Sequence, residues 1–287
     1  MQGPTPRSRF VPVAEGVRLH VRVWEGEPDL APFVLVHGLA SCARLWDGVA
    51  SHLAAAGHAV AALDQRGHGE SDKPDGGYDF GTVCADLAAV VAALGWDRPA
   101  LVGQSWGANV VLELAVRRPE LSRGIAMVDG GLFALADHLP NWEQAAEVLA
   151  PPRLEGTTLS GLERQLRIAH PDWPESGIAG TLACFAVRPD GTVAPRLTRE
   201  RHMAILRHLW AHRPRELWPR LIVPTLIVPA DDDSPLARRR RRAVAAAEAT
   251  IPRVRVRWFT GDHDVHAQHP TELAELLHEA DTDGFFT

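Results

Sequence analysis

The chain has 287 residues, 46% of them hydrophobic and 23% charged, an ordinary globular composition that excludes disorder for its bulk. Its net charge of −6 excludes a general binder of nucleic acid or of anionic membranes, because phosphate surfaces select positive charge. Three cysteines far apart in sequence, Cys42, Cys84 and Cys184, form no CxxC motif and no Cys/His cluster, so no disulfide framework and no metal site is expected.

MQGPTPRSRF lacks the apolar stretch of a signal peptide, and no run of 18 apolar residues occurs, so a cytoplasmic location is the default expectation. FVPV and then VRLHVRVW alternate with period two and predict an opening antiparallel hairpin. Phe33 to Val36 is a short apolar strand stopped at His37-Gly38, and a helix is predicted around Leu45 to Ala56. The strand Ala59 to Leu63 ends at Asp64, and Phe80 to Leu94 has helical periodicity. Ala100 to Gly103 is a strand followed at once by the helix Trp106 to Arg117, and the strand Gly124 to Val128 ends at Asp129. This rhythm predicts a parallel sheet covered by helices on both faces.

From about Leu132 to Trp218 the rhythm breaks into helical pieces rich in proline and tryptophan, including NWEQAAEVLA and ERHMAILRHLWAH. It resumes with a strand over Pro224 to Pro229, a helix over Pro235 to Ala249, a strand over Val254 to Phe259 and a helix over Thr271 to Glu279. The simplest account is one α/β core, 1–131 and 219–287, interrupted by a helical insertion at 132–218. The tail DTDGFFT is expected to be frayed or loosely packed. The thirty cationic side chains are arginines except Lys73, and five of them run consecutively from Arg238 to Arg242. Successive helical residues point about 100° apart, so these arginines share no single face and are read as the solvated side of their helix.

Gly103-Gln-Ser-Trp-Gly107 is a G-x-S-x-G pattern between a predicted strand and a predicted helix. A sharp strand-to-helix turn puts Ser105 in a strained conformation, raises its hydroxyl above the sheet and aims the first free amides of the helix at the same spot. A serine hydroxyl needs a base, and the base needs a carboxylate to steer it. Asp231-Asp-Asp233 follows one strand and His263 follows the next, both at the carboxyl ends where open parallel sheets build their sites. The order Ser, Asp, His matches one of the convergent triads.

With His37-Gly38 and Asp64-Gln-Arg-Gly-His-Gly-Glu-Ser71, these make five ordered motifs, and the chain resembles the α/β-hydrolase superfamily along nearly its whole length. The resemblance implies a mostly parallel eight-stranded sheet flanked by helices, with 132–218 as an inserted helical cap. It implies that the amides of Leu39 and Trp106 form the oxyanion hole, with Ala40 in reserve. The family's G-x-x-D spacing points to Asp233 as the acid, with Asp232 as second choice and Asp129 available at the end of the earlier strand. A proline seven residues on points to His263 as the base, over its neighbours His266 and His269. His37 and His68 are expected to hold loops. Serine at the nucleophile position departs from the dehalogenase and epoxide-hydrolase relatives, which carry an aspartate there. The implied function is a serine hydrolase of small, largely apolar carboxylic esters. A lactonase, a carbon–carbon bond hydrolase, a proline-iminopeptidase-like amidase or a non-catalytic receptor are the alternatives. Trp106, Trp142, Trp173 and Trp210 are candidate walls of the substrate pocket. A small-molecule substrate is the expected partner; no cofactor, metal, nucleic acid or membrane is.

Overall fold

A computed structural model of the chain describes residues 5–232 and 235–287. Strands β1 (Arg7–Ala14) and β2 (Val17–Trp24) form the predicted antiparallel hairpin. After β3 (Phe33–Val36) come helix α1 (Asp47–Ala55), strand β4 (Val60–Leu63) and helix α2 (Phe80–Leu94). Asp79 caps α2 by accepting from the Thr82 amide, and Gly95, at φ 69°, closes it in the left-handed conformation. Strand β5 (Ala100–Gln104), helix α3 (Trp106–Arg117) and strand β6 (Gly124–Val128) follow.

Between β6 and the next core strand lie helices α4 (Trp142–Val148), α5 (Leu159–Ala169) and α6 (Glu175–Leu182), a hairpin of β7 (Phe185–Val187) and β8 (Val193–Pro195), and helices α7 (Arg199–Ala211) and α8 (Pro214–Leu217). Asn141, Thr158 and Thr198 cap α4, α5 and α7 with side-chain oxygens. The core ends with β9 (Thr225–Val228), β10 (Ala230–Asp231), α9 (Pro235–Glu248), β11 (Val254–Val256), β12 (Phe259–Thr260), α10 (Val265–Gln268) and α11 (Pro270–Thr282).

The eight-stranded sheet runs β1-β2-β4-β3-β5-β6-β9-β11 and is parallel from β4 onward. Its central strands are buried along their whole length, as strands covered on both faces must be. Alternation divides them between two apolar layers. Val34, Val36 and Leu101 pack with α2, α3 and α9, while Phe33, Leu35 and Val102 pack with α1 and α11.

Two expectations are corrected. The strand foreseen over Val254 to Phe259 is two short strands, because Pro229, with no N–H, splits the neighbouring ladder; β12 pairs in parallel with β10 instead. The tail is docked, not loose. Phe286 is fully buried edge-on to Phe33 with ring centroids 6.4 Å apart, and Arg253 donates to the carbonyls of Phe285 and Thr287. Among the described residues, no helix is long and apolar enough to cross a membrane.

Candidate active site

Ser105 stands between β5 and α3 with φ 54° and ψ −115°, a backbone conformation that L-residues rarely hold. Its surroundings enforce the turn. A side chain at Gly103 would lie 2.2 Å from the Gly107 carbonyl oxygen, and one at Gly107 would lie 2.3 Å from that of Val36. The Ser105 amide donates to the Val128 carbonyl at 2.9 Å, tying the turn to β6, and the Asn109 amide group holds the Ser105 carbonyl at 3.0 Å. Trp106 is the first residue of α3, so its N–H falls in the turn that has no intrahelical acceptor and carries the positive end of the helix dipole.

Leu39 follows His37-Gly38 and lines the same cavity as Ser105. The loop beneath it is held from below. The His37 ring is fully buried, with Nδ1 on the Gly38 carbonyl at 2.7 Å and Nε2 accepting from the Gln65 amide at 3.0 Å. Burial keeps this imidazole below its ordinary pKa despite the nearby Asp64 and the Gly38 hydrogen bond. His68 is also buried, lies well below its usual pKa for the same reason, and stacks on Trp106. Both histidines hold loops, as expected. Burial would raise the Asp64 carboxyl, but donors from His20, Ala43 and Glu70 outweigh it and bring its pKa down to about 2. Arg66 forks onto Asp86 at 2.5 and 2.6 Å, so the D-x-R-G-x-G-x-S segment is a brace.

His263 sits in the loop before α10 with its ring 52% exposed toward the cavity. Its Nδ1 lies 2.7 Å from Asp129 Oδ2. Asp233, the acid placed first by spacing, lies outside the described residues. Asp129 is the described carboxylate that meets the imidazole. It follows β6 at φ 40° and is almost wholly buried. Its Oδ1 accepts from the Ala230 amide at 3.2 Å. Asp232 is exposed, and its Oδ1 is 3.5 Å from Arg240. Desolvation lowers the His263 pKa, but the hydrogen bond and charge of Asp129, with the charge of Asp264, outweigh it and leave it raised; Arg240 opposes them. The rival histidines do not line the cavity that holds Ser105. His266 is fully buried against Trp46 and brought by burial down to about 3, and His269 bonds the Thr260 carbonyl.

The cavity shared by Ser105 and His263 has about 200 Å³ and is walled by the loop at Leu39, Ala40 and Ser41 on one side and by the segment between β6 and β9, at Leu166, His170, Trp173, Thr181 and Cys184, on the other. Among the four candidate tryptophans, Trp173 lines it, donating through Nε1 to Asp262 Oδ2 at 3.1 Å, an oxygen shared with His170. Trp142 and Trp210 pack on each other with Arg207 over both rings and are not part of this wall; the Trp106 side chain is buried beneath the site. Ser105 and His263 share no hydrogen bond among the described residues.

Sequence reasoning passed over three residues. Gln104 donates to the His263 carbonyl and to Asp264 Oδ1, each at 3.2 Å, joining the serine turn to the histidine loop. Burial and the neighbouring carboxylates of Asp262 and Asp129 raise the Asp264 pKa, against the pull of His263 and His170. Arg240, read as solvated with the rest of its run, is 3% exposed and ion-paired to Asp129, whereas Arg238, Arg239 and Arg242 are exposed.

A strained serine turn, a histidine across one cavity and a carboxylate behind the histidine are the parts of a hydrolytic fold. The chain has the fold of the α/β-hydrolase superfamily, and the alpha/beta hydrolase fold family model matches its residues 31–167. It is 41% identical over 108 residues to epoxide hydrolase A of Mycobacterium tuberculosis, covering 37% of this chain and 33% of that protein. It is 35% identical over 107 residues to a non-heme chloroperoxidase of Streptomyces lividans, covering 37% and 38%. The matches thus span about a third of the length of these curated relatives. Solved structures extend the likeness of fold to the whole chain. E-2-(acetamidomethylene)succinate hydrolase superposes with a TM-score of 0.78 at 23% identity, covering 97% of this chain and all of the other. The thioesterase domain from the curacin biosynthetic pathway follows at 0.76 and 22%, covering 95% and 99%.

Proposed function

We propose that this protein is a serine hydrolase that cleaves small, largely apolar carboxylic esters through an acyl-enzyme. The observation that carries this reading is the placement of Ser105, on its strained turn, in one cavity with a histidine whose far nitrogen is held by Asp129. Ser105 Oγ attacks the ester carbonyl while His263 Nε2 takes its proton, a step that brings the two within about 2.6–3.2 Å in the substrate complex. The Leu39 and Trp106 amides receive the oxyanion, an interaction whose loss costs about 100- to 1000-fold for each donor. His263 returns the proton to the leaving alcohol, and the same base activates water to release the acid. Asp129 fixes the tautomer with the proton on Nδ1 and steadies the imidazolium. We place the acid at Asp129 and not at Asp233 because it already meets Nδ1 at 2.7 Å. The resemblance to an epoxide hydrolase does not carry over its chemistry, since serine stands where those relatives carry an aspartate. The small cavity favours short acyl and alcohol groups. A fluorophosphonate should add once, to Ser105, and hydrolysis of p-nitrophenyl acetate or butyrate should vanish in Ser105→Ala. An adduct on another residue, or undiminished turnover in that variant, rejects the reading.

A further inference from the structure

Five consecutive arginines on α9 cannot all face water, because the helix turns about 100° at each residue. Arg240 is the one that points inward. Its Nε lies 2.7 Å from Asp129 Oδ1 and its Nη2 3.1 Å from Asp129 Oδ2, while Nη1 donates to the Ala230 carbonyl at 2.9 Å. The guanidinium therefore straddles both carboxylate oxygens, and one of these, Oδ2, is the atom that meets His263 Nδ1. The residue between the histidine and the arginine is common to both.

Resting on the reading above, we propose that Arg240 is a positioning residue for the hydrolytic step: it clamps Asp129 so that Oδ2 faces His263, and its charge sets the pH at which the imidazole becomes available as a base. The clamp is geometric. A carboxylate on a single Cα–Cβ stem can rotate; the Ala230 amide holds Oδ1 alone, whereas the planar guanidinium lies against both oxygens and so constrains the direction of the lone pair offered to Nδ1. The charge acts on His263 through space. Among the described residues, the charged and titratable groups around that imidazole are Asp129 beyond β6, Asp264 in its own loop, Arg240 on α9, His266 on α10 and, across the shared cavity, His170. Two of these, Asp129 and Asp264, are carboxylates that favour the protonated, inactive imidazolium. Arg240 is the permanent cation that counters them. A triad with this many acidic neighbours needs such a counterweight if its base is to be neutral near pH 7.

The test is the pH dependence of Ser105 phosphonylation by a fluorophosphonate, which requires no knowledge of the natural substrate. In Arg240→Gln the acid limb should move up by about one pH unit, and the plateau rate should fall by about 10- to 100-fold as Asp129 loses its orientation. Arg240→Lys keeps the charge but not the fork, so the limb should stay while the plateau still falls. A folded Arg240→Gln protein with the limb and plateau of the wild type overturns the proposal. If the glutamine variant does not fold, the lysine variant decides: an unchanged plateau rejects the clamp. A residue that merely held α9 in place would lower the melting temperature and leave the limb where it was. Labelling that persists in Ser105→Ala defeats the nucleophile assignment instead, so the two failures are distinguishable.

Discussion

Asp129 concentrates the energetics of the site in one side chain. It is buried, carries a positive φ and is met by Arg240, His263 and the Ala230 amide. Because His263 is raised above its ordinary value of 6.5, hydrolysis should climb with pH through a midpoint above 6.5, as the imidazole loses its proton. The sign for stability is the reverse. A histidine whose folded pKa is raised contributes stability that is fully present below 6.5 and is lost as pH rises through the folded value. Asp129→Asn should lower kcat by about 10⁴-fold, the size of effect seen when a triad acid is neutralised, and should move the limb down. It should also destabilise the fold, by up to about 3–5 kcal/mol, because buried Arg240 is left with only the longer, more exposed contact to Asp232 as counter-charge. Urea unfolding of the purified variant checks this. A fully stable, inactive variant would show that the ion pair contributes nothing to the fold.

At the scale of elements, the strand–turn–helix of β5 and α3 was the most legible part of the chain. An unbroken apolar run meets glycine punctuation there, and the observed helix has the predicted bounds. The turn depends on close backbone approach. Gly107→Ala would press a methyl against the Val36 and His37 carbonyl oxygens. The result should be a loss of about 1–3 kcal/mol and a slower phosphonate reaction, since β3 leads directly into the oxyanion loop; melting and labelling curves measure both. The carboxylate that meets His263 was harder to read. β6 and β9 are adjacent parallel strands, so the residues just past their ends share one edge of the sheet, and spacing along the chain does not distinguish them. Arg240 was hidden for another reason: identical neighbours carry no periodicity, so nothing in the run marks which residue turns inward. The buried tail was missed because two phenylalanines after Asp-Gly look like an exposed end, and the hollow beside Gly124 that receives Phe286 exists only in three dimensions.

Over the whole molecule, the inserted segment has two different duties. Near the site, Leu45, Trp173, Ile178 and Ala267 form a small apolar cluster joining it to the core. Farther off, Trp142 and Trp210 pack on each other beneath Arg207. The break in β-α rhythm falls where α4 to α8 and the β7–β8 hairpin separate β6 from β9, but the tryptophan count alone did not assign these duties. Trp173→Phe removes the donor to Asp262 and reshapes the cavity wall, so it should alter the relative rates on acetate, butyrate and longer esters. Trp142→Ala should lower the melting temperature and leave those ratios unchanged. A shift in ester preference from Trp142→Ala would show that the wall extends further than the cavity at Ser105.

The hydrogen bond between Asp129 and His263 joins residues 134 positions apart, and that between Gln104 and His263 spans 159. Closing loops of that size costs chain entropy before any contact rewards it. The helices and the β1–β2 hairpin can form from near neighbours, whereas His263 reaches Asp129 and Gln104 only across such separations. On the proposed mechanism, catalytic competence is then expected late in the folding of this chain, and a molecule with most of its secondary structure in place but β9 and β11 undocked would present Ser105 without His263.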